Sequence, residues 1–314
     1  MGLSIGTRAA PTLEALPALQ PALRCRLCAA AADAALRNPV SGAADQTSPG
    51  TVSVIIPTHN RSASCVRAIE SALAQTLPPL EVIVCDDRST DGTESAISAL
   101  AANDERVRYL RRTNGPRGPG ATRNRALQEA RGEFVAFLDD DDEWFAEKLE
   151  RQGPVLIESG GLVASNAVRS SGGTYFADST DDQIDRSELL NHNPLILSSV
   201  IASREQILAC GAFSEHASLV AIEDYDLALR LSDQGVPMVR LGAPLLHYSD
   251  TADERLSGRT ARIDLAIAGL FARRLFGAQR DTEQLRAASS KLLSAARSGM
   301  QLAINQARER LRRQ

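Results

Sequence analysis

The 314-residue chain is short of several things. Aromatic residues make up 4% of it, tryptophan occurs once and histidine four times. No stretch reaches the roughly 18 uncharged apolar residues that a membrane-spanning helix requires. The five cysteines (Cys25, Cys28, Cys65, Cys85 and Cys210) are odd in number and scattered, which excludes a disulfide-stapled scaffold and fits a reducing compartment. Cys25-x-x-Cys28 has the spacing of half a zinc site, yet no second pair or nearby histidine completes it. The N-terminus lacks a basic flank followed by an apolar segment, so no secretory signal is read there and a cytoplasmic location is expected. No Gly-Lys-Ser or Gly-Lys-Thr closes a phosphate loop, and no dinucleotide fingerprint follows the first strand. With few aromatics and its basic residues gathered in the tail, the chain is not expected to bind nucleic acid.

What is present describes a globular protein: 43% hydrophobic and 24% charged residues. The net charge of −4 conceals an asymmetry. From Arg255 onward there are 13 basic and 4 acidic residues, a surplus of +9, so the first 254 residues carry −13. An acidic body with a basic tail suggests a site and a surface.

Residues 1–50 are rich in Ala, Pro and Ser and read as an extension and linker, partly disordered, with a short helix over Leu19–Leu36. Order begins at Thr51. Val52–Ile56, Glu81–Cys85, Val107–Leu110 and Phe134–Leu138 are short apolar runs of the kind that form buried parallel strands. Helical patterns alternate with them over Ser64–Gln75, Asp91–Ala102 and Gly120–Ala130. This alternation predicts an α/β fold, a mostly parallel sheet flanked by helices. Beyond Trp144 the pattern loosens to a helix near Ala146–Glu158, a strand near Leu162–Ala167, an irregular stretch from Ser170 to Asp185, and a helix from Ala221 to Gln234. Residues 51–254 are read as the catalytic domain. Residues 255–314 are read as a basic helical tail, with Leu285, Leu292, Met300, Ile304 and Leu311 on one stripe.

In such sheets ligands sit beyond the carboxyl ends of the strands. Seven aspartates gather there: Asp86, Asp87 and Asp91 after the second strand, Asp139 to Asp142 after the fourth. Adjacent carboxylates repel and rise in pKa unless a cation neutralises them, and hard oxygen ligands select Mg²⁺ or Mn²⁺. A solvated acidic helix start is the plainer alternative for Asp139–Asp142. Ser89 or Asp91 can cap the following helix, which leaves Asp86 and Asp87 free to accept from a nucleobase or ribose. The glycine-rich Asn114–Gly120 loop and Arg123 can contact a diphosphate or simply form a turn. Asp224 and Asp226 either favour a helix dipole or present a general base.

The order Pro57-x-x-Asn-Arg, Asp86-Asp-x-Ser-Thr-Asp-Gly, Phe137-Leu-Asp-Asp-Asp-Asp-x-Trp and Glu223-Asp-x-Asp-Leu-x-Leu-Arg resembles the family 2 glycosyltransferases, over about Thr51 to Tyr248. The resemblance implies a GT-A fold with a helical C-terminal extension, and inverting transfer from a nucleotide-sugar. It places Pro57, Thr58, Asn60, Arg61, Asp86, Asp87, Arg123 and Asp140 around the donor nucleotide, with Asp87 on the base and Arg123 near the sugar or diphosphate. Asp139 and Asp141 match the metal-binding Asp-x-Asp for Mn²⁺ or Mg²⁺, Asp224 the catalytic base, and Glu223 its supporting neighbour. The chain departs from the pattern at Arg88, where glycine is common, at Ser214, where aspartate is common, and in having no histidine just beyond Tyr248.

The donor expected from this resemblance is a UDP-, GDP- or dTDP-sugar. The acceptor is a sugar, a lipid-linked glycan or a protein, read by the irregular Ser165–Ser199 stretch. A nucleotide-sugar-binding module without transfer activity and a metal-dependent nucleotidyltransferase are the competing readings. The tail stripe is expected to dock on the body or self-associate, because helix stripes usually bury against protein. Contact of its arginines with anionic lipid at the inner face of a membrane is the other reading.

Overall fold

The computed structural model describes residues 50–177, 180–250, 260–275, 286 and 289–294. The N-terminal extension up to residue 49, with its Leu19–Leu36 helix and Cys25–Cys28 pair, lies outside the described residues, as do Leu285, Met300, Ile304 and Leu311 of the tail stripe.

The first half follows the predicted alternation: β1 (Val52–Thr58), α1 (Ser62–Leu73), β2 (Glu81–Asp86), α2 (Thr93–Asn103), β3 (Val107–Arg111), α3 (Pro119–Glu129) and β4 (Phe134–Phe137). These strands run parallel in the order β3-β2-β1-β4. Successive strand side chains point to opposite faces. Val54, Ile56, Val82 and Val84 therefore pack with Cys65 and Ile69 of α1 and Ile97 of α2. Ile55, Ile83 and Cys85 enter a second core with Ala126 and Leu127 of α3. Two covered faces explain why the strands are apolar throughout.

The second half comprises β5 (Glu143–Trp144), α4 (Lys148–Ser159), β6 (Leu162–Arg169), β7 (Asp182–Gln183), α5 (Arg186–Asn191), β8 (Ile201–Ser203), α6 (Arg204–Ala209), α7 (Glu223–Asp233) and β9 (Met238–Tyr248), with 3₁₀ turns at Leu197–Ser199 and Ala217–Leu219. The sheet continues from β4 through β8, β6 and β9 to β5, with β7 beside β9. It is mixed there: β8 runs antiparallel to β4 and β6, and β9 parallel to β6. Strands of two or three residues carry no readable periodicity, and β9 contains the turn signals Gly242 and Pro244. A register shift between Ser165 and Asn166 resolves the latter, because Pro244 sits at the irregularity, where the ladder tolerates a residue without an N–H.

A further helix, α8 (Thr260–Leu275), lies beyond the boundary drawn at residue 254. Ala268, Leu270 and Phe271 are buried, and the Phe271 ring lies 6.2 Å from that of Tyr225 in α7. Arg273 donates to Ser218, and Arg274 pairs with Asp233. The first part of the basic tail therefore belongs to the folded body, where apolar residues of α8 complete the core.

Candidate active site

The carboxyl ends of β1, β2 and β4 open into a cavity of about 770 Å³, which α7 and α8 also line. Asp139 to Asp142 follow β4 and all four line it. Asp140 turns inward, accepting from Thr58 Oγ1 at 2.7 Å and Arg61 Nη1 at 3.1 Å. The same Arg61 nitrogen donates to Asp141 at 2.6 Å. Arg123 Nη2 donates to Asp139 at 2.6 Å, and Asp142 accepts from the Ser249 N–H at 2.8 Å. Burial foremost pushes the Asp140 carboxyl up to about 6, against the bond from Thr58. Burial and the charge of Asp139 push Asp142 up to about 8. Arg61 and Arg123 thus supply part of the neutralisation that the acidic run demands.

A divalent cation fits the donors that remain. Asp139 Oδ2 and Asp141 Oδ1 have no hydrogen-bond partner among the described residues, and both are hard oxygen donors. No group of three or more His, Cys, Asp or Glu side chains among the described residues forms a ready cage. Mg²⁺ and Mn²⁺ characteristically take one or two carboxylates and complete their shell with water and substrate phosphate.

After β2 the two aspartates part company. Asp86 is buried, accepts from the Ser89 N–H and hydroxyl and from the Tyr109 hydroxyl at 2.7 Å, and does not line the cavity. Asp86 shapes the turn beneath the cavity. Asp87 does line the cavity, with Oδ1 bonded to Arg112 at 3.1 Å and to Arg88, and Oδ2 accepting from the Gly118 N–H at 3.0 Å. Arg88 stands at φ 66°, so the turn keeps the left-handed conformation that glycine adopts freely, at a cost of about 1 kcal/mol. Asn60 is likewise outside the cavity lining. Its side-chain Oδ1 accepts from the Thr90 N–H and its backbone N–H donates to the Ser89 hydroxyl, latching the loop after β1 to the loop after β2.

Gly118, at φ 122°, lets the glycine loop turn its N–H onto Asp87. Gly120 permits a close approach, since a Cβ there would lie 2.8 Å from the Ser214 carbonyl. Arg117 of the same loop lines the cavity and has no ion-pair partner among the described residues. Arg123, expected near the sugar or diphosphate, lines the same cavity and is already paired. Its side chain is 5% exposed and committed to Asp139 and, at 2.8 Å, to Glu223. Burial alone would lower its pKa, but Asp139 and Glu223 outweigh burial and hold it above the ordinary value.

At the start of α7 the two candidate bases separate. Asp226 pairs with Arg230 at 2.8 Å, and Arg230 in turn holds the Cys210 and Ala212 carbonyls. Asp224 faces the cavity instead and accepts from Asn193 Nδ2 at 3.1 Å. Burial and then the adjacent Glu223 charge raise its pKa to about 6. Asn193, Leu195, Tyr175, Tyr248, Ile263 and Ile267 also line the cavity and were not singled out from sequence. They come from irregular segments, a strand end and α8, where no local pattern marks them.

A family model described as Glycosyl transferase family 2 matches residues 53–212, just over half of the chain. The chain belongs to that family. Over 92 residues it is 46% identical to the GalNAc(5)-diNAcBac-PP-undecaprenol beta-1,3-glucosyltransferase of Campylobacter jejuni, a match covering 29% of this chain and 30% of that protein. Over 109 residues it is 40% identical to the UDP-Glc:alpha-D-GlcNAc-diphosphoundecaprenol beta-1,3-glucosyltransferase WfgD of Escherichia coli, covering 34% and 42% respectively. The matches thus span less than half of these relatives' lengths. Among solved structures, Staphylococcus aureus TarS 1-349 in complex with UDP-GlcNAc aligns with a TM-score of 0.63 at 20% identity, covering 77% of this chain and 71% of that one. The mannosyltransferase PcManGT of Pyrobaculum calidifontis, in complex with GDP-Man and Mn2+, aligns with a TM-score of 0.57 over 91% of this chain and 90% of its own. The architecture is the GT-A fold, as expected from the family resemblance.

Proposed function

We propose that this family 2 member transfers a sugar from a nucleoside-diphosphate sugar to an acceptor hydroxyl with inversion. The observation that carries the reading is a single cavity lined at once by Asp87, Asp139, Asp141 and Asp224. Asp87 takes the base. Arg61 and Arg117 lie on the cavity wall with the charge to meet a diphosphate. Asp139 and Asp141 would hold Mn²⁺ or Mg²⁺, which when bound offsets the charge developing on the departing diphosphate. Asp224 removes the acceptor proton as the acceptor oxygen attacks the anomeric carbon and the bond to the diphosphate oxygen breaks. A carboxyl raised to about 6 is ionised at neutral pH yet more basic than a free one, which suits a general base.

The name of the Escherichia coli relative specifies UDP-glucose, and both relatives' names specify undecaprenyl-diphosphate-linked acceptors, which favours a UDP-sugar and a lipid-linked glycan for this chain. No helix among the described residues is long and apolar enough to cross a membrane. A tail of +9 with Leu265, Leu292 and Leu293 exposed supports peripheral contact with an anionic bilayer, and liposome flotation of the full chain against one ending at residue 275 tests it.

The central test is Asp224→Asn. Mn²⁺-dependent UDP binding, followed by calorimetry, is expected to persist while turnover of the UDP-, GDP- and dTDP-sugar panel falls about 10²-fold or more. Wild-type kcat/KM is expected to fall as pH drops below about 6, where Asp224 protonates. Retained turnover in Asp224→Asn refutes the base assignment.

A further inference from the structure

We propose that Asn193 is the positioning residue of the base, fixing which oxygen of Asp224 meets the acceptor; this rests on the reading of Asp224 given above. Asn193 lies in the connection after α5, within the stretch that carries no sequence pattern, and lines the cavity beside Asp224. Its carboxamide is oriented at both ends. Oδ1 accepts from the Leu195 N–H at 3.2 Å, so Nδ2 is the atom that faces Asp224 Oδ2, at 3.1 Å. Rotating the amide by half a turn would set oxygen against carboxylate oxygen and N–H against N–H, which is repulsive at both contacts. The backbone turn at Leu195 therefore chooses the donor, and the donor chooses the carboxylate oxygen. Asp224 Oδ2 is taken by Asn193, the Tyr225 N–H also faces the carboxylate, and Oδ1 is the oxygen without a side-chain donor among the described residues, which leaves it to meet the incoming hydroxyl.

The turn is itself held from below. Trp144 Nε1 donates to the Ser198 carbonyl at 2.7 Å, and Gln152 Nε2 donates to the Ser199 carbonyl at 2.8 Å. Asp224 also borders a small pocket lined by Phe137, Leu195, Leu197 and Leu227, so its carboxylate has apolar side chains beside it. The charged groups around Asp224 are Glu223 on its own helix, Arg123 from α3 and Asp139 after β4. Asn193 is the neutral member of this set and acts by direction rather than by charge.

The test uses the full chain and needs no substrate for its first readout. Carboxyl-carbon NMR, with the resonance assigned by its loss in Asp224→Asn, follows the titration of Asp224. Removal of a donor to the ionised form raises its midpoint, by about one pH unit in Asn193→Ala. Asn193→Asp keeps the acceptor for Leu195 but sets a second carboxylate against Asp224, and moves the midpoint further upward. In both variants release of UDP from UDP-glucose with Mn²⁺ slows about tenfold or more, while UDP affinity by calorimetry stays within about twofold. An Asp224 midpoint unchanged in both variants overturns the proposal even where melting temperature falls, since that is the signature of a purely structural role. A loss traced to weaker UDP binding also overturns it. Full turnover in Asp224→Asn removes the base assignment itself, and with it the catalytic meaning of Asn193.

Discussion

Replacing Arg123 by methionine tests how the two halves of the site are joined. Arg123 is the cation between Asp139, after β4, and Glu223, at the start of α7, at 2.6 and 2.8 Å. The Asp139 side chain is 36% exposed, so solvent screens that pair and it contributes little. Glu223 is different: its side chain is 5% exposed, and its Oε2 already has no hydrogen-bond partner among the described residues. Methionine fills the space above Phe213, whose ring Arg123 now overlies at 5.5 Å, but leaves the Glu223 carboxylate buried without a cation. Breaking a buried pair from one side typically costs about 3–5 kcal/mol, and that is the loss expected at neutral pH. Glu223→Gln leaves Arg123 its bond to Asp139 and should cost about 1–2 kcal/mol. The double variant removes both charges and should cost no more than Arg123→Met alone, a coupling of about 1–3 kcal/mol. Urea unfolding is read from Trp144, the only tryptophan, which is buried beneath the site. A cost below about 1 kcal/mol for Arg123→Met, or a double variant equal to the sum of the singles, would refute the reasoning.

Asp141→Ala should weaken Mn²⁺-dependent UDP binding about tenfold or more by calorimetry, because it removes one of two carboxylates available to the ion. Glu81, fully buried at the start of β2, accepts from Ser53, the Arg131 N–H and side chain, and Arg108 at 2.6 Å. Glu81→Ala should cost about 2–4 kcal/mol in urea unfolding, from the donors left unpaired, while UDP affinity at the far end of the sheet is unchanged. Burial tends to raise the Glu81 pKa, but Arg108, the Arg131 N–H and Ser53 outweigh it and hold the carboxyl below its ordinary value. Its contribution is therefore complete above about pH 4.3 and is lost as pH falls through the folded value, and Glu81→Ala should flatten that part of the stability profile. Gly120→Ala should slow turnover and lower stability by about 1–3 kcal/mol, since its Cβ would press on the Ser214 carbonyl and on Glu223 Cγ at 3.2 Å.

Much of the strand-end rim of the cavity was legible in the residues. Apolar runs bounded by turn signals located β1, β2, β3 and β4, and the aspartates after β2 and β4 marked the rim. The turn after Asp87 is carried by Arg88 in the left-handed backbone that glycine adopts freely. The facing wall was legible only as the irregular Ser165–Ser199 stretch and not residue by residue, because Asn193, Tyr175 and Leu195 lie in irregular chain and Ile263 and Ile267 arrive from α8, placed past the boundary drawn from composition.

Sequence alone determined the family, the parallel half of the sheet and the four clusters of polar residues, because strand period, turn chemistry and motif order are local properties. The tertiary structure decided which member of each cluster faces the cavity. Asp86 and Asp87 are neighbours in sequence, yet one is spent on Ser89 and Tyr109 and the other lines the cavity. Asp226 is taken by Arg230 while Asp224 meets Asn193, and Arg123 is drawn inward by two carboxylates from different elements. The Asp226–Arg230 and Asp86–Ser89 contacts are local, but Asp224 meets Asn193 across 31 residues and Arg123 meets Glu223 across 100. The fold brings those distant partners within hydrogen-bonding distance, and no local pattern records it.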